Sequence, residues 1–157
     1  MQDFHYSVSL HVSHPDIDPA LISQALALQA THRPTRKGEA KTTPKGTPRE
    51  GHWEFSHWSH SFEIVQDGEL VAFLRHLAER LEPHREFLQR IVEDGGAIEC
   101  FVGIFTDTNC DQILPFDLLG KLAELRVDLR LDMYGSKLRQ AEHPLLESDG
   151  SRTKRCT

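Results

Sequence analysis

The sequence predicts an α+β fold, a two-layer sandwich in which helices cover one face of a mixed or antiparallel sheet. Three observations lead there. Residues 4–12 and 127–134 alternate with period two, one side apolar and the other polar, as strands buried on a single face do. Between them, apolar residues recur at helical spacing in 18–28, 70–81, 84–93 and 116–125. The order is strand, helix, strand, helix pair, strand, helix, strand, and the polar strand faces favour a sheet left open on one side. A ferredoxin-like derivative is the topology that this order suggests.

In the first strand Phe4, Tyr6, Val8, Leu10 and Val12 alternate with His5, Ser7, Ser9 and His11. Asp18 then stands where a carboxylate can accept from the free amides of a first helical turn. Pro19 suits the first helical position, and Ile17 is placed to pack on Ile22. Leu21, Ile22, Ala25 and Leu26 form the buried stripe. From Ala30 to Gly51 no apolar period is visible, and Pro34, Pro44, Pro48, Gly38 and Gly46 interrupt the chain, so a long flexible loop over 31–51 is expected.

The stretch GHWEFSHWSHSFEI follows, residues 51–64. Trp53 and Phe55 share one parity, whereas Trp58, Phe62 and Ile64 share the other. No straight strand buries both sets. A bulge near Ser56 and His57 accounts for the change better than a two-residue turn, because Ser-His lacks the Gly or Asn such a turn favours. Both tryptophans are expected in the core. Asp67 or Gly68 opens a helix carrying Leu70, Phe73, Leu74, Leu77, Ala78 and Leu81, and Pro83 breaks it. A second helix over 84–93 ends at Gly95-Gly96. Residues 97–106 put Ile98, Cys100, Val102 and Ile104 on one face and Phe101 and Phe105 on the other, which predicts a strand that is central or covered on both sides. A turn, a short strand at Ile113-Leu114, a helix over 116–125 and the closing strand complete a single domain over residues 1–136. The polar residues 137–157 read as a poorly ordered tail.

Composition narrows the function classes. The chain has 157 residues, enough for one domain with a core, and a formal net charge of −6. No apolar run reaches the ~20 residues of a membrane span, and the N-terminus lacks a signal-peptide pattern, so a cytoplasmic location is expected. Cys100, Cys110 and Cys156 are odd in number and lack CxxC spacing, as in a reducing compartment. An acidic body argues against nucleic acid as a partner. The exception is the loop, where Arg33, Arg36, Lys37, Lys41, Lys45 and Arg49 face only Glu39 and Glu50.

The series DIDPALISQALAL, RPTRKGEAKTTPKG, Trp53 before a serine-containing strand, LVAFLRHLAERLEPHREFLQRI and LPFDLLGKLAELRVDLRLDMYG resembles the bacterial domain-of-unknown-function family numbered 4279. The matching motifs fall on Asp18-Pro19, Arg36-Lys37-Gly38, Trp53, and Leu122-Ala123 through Asp132-Met133-Tyr134, across roughly residues 4 to 135. The resemblance implies a domain of that extent and carries over no catalytic residue. The histidines around Trp58 lie outside it.

No catalytic set stands out. His52, His57 and His60 have the ligand chemistry for zinc, but His57 and His60 differ in parity and so face opposite sides of a strand. Asp128 and Asp132 lie about 13 Å apart along a strand, too far to act together on one glycosidic bond. No GxSxG elbow and no phosphate-binding GxxxxGK[ST] loop occurs. The favoured reading is a non-enzymatic binding or interaction module, with no cofactor or metal, whose partner is another protein or a second copy. Its contact surface would be the polar sheet face (His5, Ser7, Ser9, His11, Ser59, Ser61, Arg130) or the basic loop. The alternative is an anion- or small-molecule-binding protein or enzyme, with a site between loop and strand formed by Arg33, Arg36, Lys37, Lys41, Trp53, His57 and His60.

Overall fold

Strand β1 (His5–His14) buries Val8, Leu10 and Val12 on one side and leaves His5, Ser7 and His11 exposed on the other. The alternation read from the sequence is thus the one that the strand uses. The computed structural model describes residues 4–63 and 69–135, so the expectations for Ile64, Asp67, Gly68 and the tail from 137 fall outside it.

Helix α1 (Pro19–Leu26) starts as its sequence requires: the Asp18 carboxylate accepts from the Ala20 amide at 3.0 Å, with Pro19 in the first turn. It ends at Ala27, which takes the left-handed conformation at φ 52°. His14 prepares the entry to this helix. Its Nδ1 accepts from the amides of Asp16 (2.9 Å) and Ile17 (2.8 Å), so the ring acts as a turn cap at the end of β1.

The expected long loop contains structure. Strands β2 (Ala40–Thr42) and β3 (Pro48–His52) pair antiparallel as a small separate sheet. Neither buries a residue, which is why no apolar period announced them. The expected bulge is likewise corrected. β3 stops at His52, the chain bends through 53–55, and β4 (Ser56–Ser61) starts afresh in the main sheet. The parity change between Trp53 and Trp58 therefore comes from a break between two sheets.

Helix α2 (Leu70–Leu81) passes through a 3-10 turn (Glu82–His84) at Pro83 into α3 (Arg85–Glu93). β5 (Ala97–Thr106), α4 (Phe116–Glu124) and β6 (Val127–Gly135) complete the order; Ile113-Leu114 forms no strand. The main sheet runs β4-β1-β5-β6. β1 is antiparallel to both neighbours, and β5 and β6 are parallel, so the sheet is mixed. A helix pair stands between β4 and β5, where the β-α-β-β-α-β run of a ferredoxin-like chain has direct strand succession.

The core lies between the helices and one face of the sheet. Ile22, Leu26, Leu74, Leu77, Leu81, Leu88, Ile91, Leu118 and Leu122 meet Leu10, Val12, Trp58, Ile98, Cys100 and Val102. Trp58 is 2% exposed and its indole N–H donates to Ser23 Oγ at 2.9 Å, tying α1 to β4. A buried indole so satisfied combines large apolar burial with no orphan donor.

Candidate functional site

Register fixes what the opposite face carries. His57, Ser59 and Ser61 of β4 stand across from Ser13, His11 and Ser9 of β1. Those in turn neighbour Ala97, Glu99 and Phe101 of β5, and Glu99 and Phe101 are level with Asp128 and Arg130 of β6. All seven residues of the expected polar face therefore share one side. Among the described residues no helix covers it. The strand β5 is central, one of the two arrangements its sequence allowed, and this face leaves Phe101 half-buried and Phe105 44% exposed.

At the β4 end a wall rises from this floor. The basic loop runs along the outer edge of β4, held by backbone bonds. Thr31 N donates to Ser59 O (2.9 Å), Thr35 N to His57 O (3.1 Å), and His57 N to Thr35 O (2.8 Å). Lys37 N donates to Ser56 Oγ (3.1 Å), Gly38 N to Trp53 O (2.8 Å), and Trp53 N to Glu39 O (2.9 Å). These bonds bring Trp53 over the sheet edge, half-buried rather than in the core. Between wall and floor lies a cavity of about 600 Å³ that includes His11, Arg33, Trp53, His57, Glu99 and Arg130 among its lining residues.

The chemistry of this cavity is mixed. Trp53 meets the His57 ring edge-on at 5.6 Å between centroids, and Lys41 Nζ stands 5.6 Å from the indole. The Arg130 guanidinium lies 5.7 Å from the Phe101 ring and 3.5 Å from the Glu99 carboxylate. Arg33, largely exposed, stands 3.8 Å from Glu39. Exposed ion pairs at such separations hold little energy, so both guanidinium groups keep donors for another acceptor. Desolvation by burial lowers the pKa of His57. It also lowers that of His11, where Arg130 and His32 act in the same sense and Glu99 opposes them.

The seven residues expected at the site divide. Arg33, Trp53 and His57 line this cavity, and Lys41 reaches Trp53 from outside. Arg36 pairs with Asp18 at 3.1 Å and lines a different cavity, beside α1. His60 faces the helix side, with its Nδ1 2.6 Å from the Gln29 carbonyl oxygen and its ring against Trp58 and Phe62, and it lines a third. Lys37 contributes its backbone to Ser56. His57, His60 and Arg36 thus do not converge. Among the described residues no three His, Cys, Asp or Glu side chains group as a metal would need.

Glu99 was missing from the expected set. It shares parity with Phe101 on β5, and the alternation of residues 97–106 was sufficient to place it on the polar face. Thr35 and Pro34 gave no signal, because a backbone bridge from a loop leaves no pattern in side chains.

The chain matches the family model described as Domain of unknown function (DUF4279) over residues 4–136. It belongs to that family. DUF4279 thus spans everything from the first sheet strand to the last, including the wall, the floor and the cavity between them. No curated protein and no solved structure gives a significant match. Among the described residues no helix is long and apolar enough to cross a membrane.

Proposed function

We propose that this DUF4279 domain is a non-enzymatic binding module, and that its recognition surface is the bare face of the four-stranded sheet. The cavity under Trp53 is the focus of that surface. The observation that carries the reading is the combination of an uncovered floor with a wall bonded to its edge, which leaves about 600 Å³ between them. Ligand sites are concave, and of this order of size.

The lining suits a flat group bearing a carboxylate or phosphate. Trp53 offers an aromatic surface, and Arg33 and Arg130 offer paired donors of the geometry that such anions accept. Cys100 supplies no nucleophile at this place. Cys100 points to the core side, and burial pushes its thiol up to about 12, far from thiolate formation at neutral pH.

Calorimetric titration with benzoate and with inorganic phosphate tests the proposal. Benzoate is expected to bind, with affinity lowered about tenfold or more by Trp53→Ala and by Arg130→Gln, in line with losing an aromatic contact or a charged hydrogen bond. Equal behaviour of wild type and both variants would contradict it.

A further inference from the structure

The two edges of the main sheet are treated differently. The outer edge of β4 is occupied by the loop, through Thr31 and Thr35. β6 is the other end of the strand order, and among the described residues nothing pairs with its outer edge. An unpaired edge presents a row of backbone donors and acceptors, a template for another strand.

Exposed apolar side chains gather beside that edge. Leu131 is 42% and Met133 60% exposed on the helix side of β6. On α4, Asp117 is held by Arg75, and Glu124 by Arg85 and Gln89. Those bonds mark the flank turned to α2 and α3, whereas Leu118 and Leu122 point into the core. A second stripe at Phe116, Leu119, Gly120 and Ala123 lies at helical spacing on neither flank and is exposed, Phe116 by 89%.

The sequence of β6 says what fits. When two copies of VDLRLDMYG pair antiparallel about a two-fold at Leu131, Leu131 meets its own copy and Leu129 meets Met133 on the helix side. On the other side Arg130 meets Asp132, twice, and Asp128 meets Tyr134. Charges on an edge strand ordinarily keep copies apart. Here they alternate in sign, so self-pairing in this register sets opposite charges across from each other. Such a contact is isologous and closes on itself.

We infer that the chain forms a symmetric dimer through β6, with the two sheets joined into one of eight strands and the α4 stripes of both copies alongside. This stands independently of whether the cavity binds an anion. The dimer would present two bare faces as one continuous floor.

Sedimentation analysis of the full chain, from micromolar to millimolar concentration, tests the inference. The expected mass is twice that of one chain, falling to one chain in Leu131→Lys, with circular dichroism and melting showing that this exposed position leaves the fold intact. Arg130→Asp and Asp132→Arg are each expected to be monomeric, because each sets like charges across the two-fold. Mixed one to one they restore the dimer, since every unlike pair is then remade. A wild type that stays monomeric throughout overturns the inference. So does a dimer indifferent to Leu131→Lys and both charge reversals, or a mixture that fails to associate.

Discussion

Trp53 and Trp58 show how position, rather than residue type, decides a side chain's role. Trp58 fills the core and donates to Ser23, whereas Trp53 is half-buried over the sheet edge with a lysine ammonium nearby. Trp58→Ala is expected to cost about 3–5 kcal/mol, the usual loss for a large core aromatic. Trp53→Ala should cost far less, because its ring leaves no comparable cavity. Denaturant unfolding of both variants checks this, and equal losses would return Trp53 to the core. The histidines of the open face make a second prediction. Burial holds His11 and His57 below the ordinary histidine value, so the unfolded chain takes up these protons at higher pH than the folded one does. Their contribution to stability is therefore intact above about pH 6.5 and is lost as pH falls through the lowered folded values. Replacing both with Gln should flatten that part of the melting-temperature profile between about pH 7 and 5. The same protonation adds positive charge to the face, so anion affinity should rise on acidification.

At the scale of elements, each segment is limited by local chemistry that can be altered without touching the site. Helix α1 stops with Ala27 in a left-handed conformation that favours glycine. Ala27→Gly should raise stability by about 1 kcal/mol, read as a higher denaturant midpoint with unchanged slope. Most elements were legible for such reasons: Asp18-Pro19 starts α1, Pro83 marks the turn into α3, and β5 has the limits its alternation gave. The hairpin β2–β3 was illegible because every contact that holds it is backbone or exposed, and apolar spacing reports only buried faces. The broken parity at 53–58 was visible, but its cause was not. A bulge and a change of sheet produce the same switch, and only the pairing of β4 with β1 distinguishes them. His14 was hidden in the same way, since its cap acts on amides two and three residues away with no motif to announce it.

At the scale of the whole molecule, the helices take one face of the sheet and the loop takes one edge. The other face and the β6 edge are free of both among the described residues. The polar face was legible because it depends only on parity: once β1, β4, β5 and β6 pair in register, His5, Ser7, Ser9, His11, Ser59, Ser61 and Arg130 must share a side. Which cationic residues join it was not legible, because that depends on how the loop meets β4. Arg33 reaches the cavity under Trp53, whereas Arg36, three residues on, pairs with Asp18 and does not line it. The central claim is that this bare face, under Trp53, is where a ligand binds. The most direct measurement follows the imidazole proton resonances during titration with benzoate. The account predicts that His11 and His57, on the open face, shift together and saturably, while His14 and His60, on the helix side, stay in place. Shifts confined to His60, or none at any of the four, would contradict it.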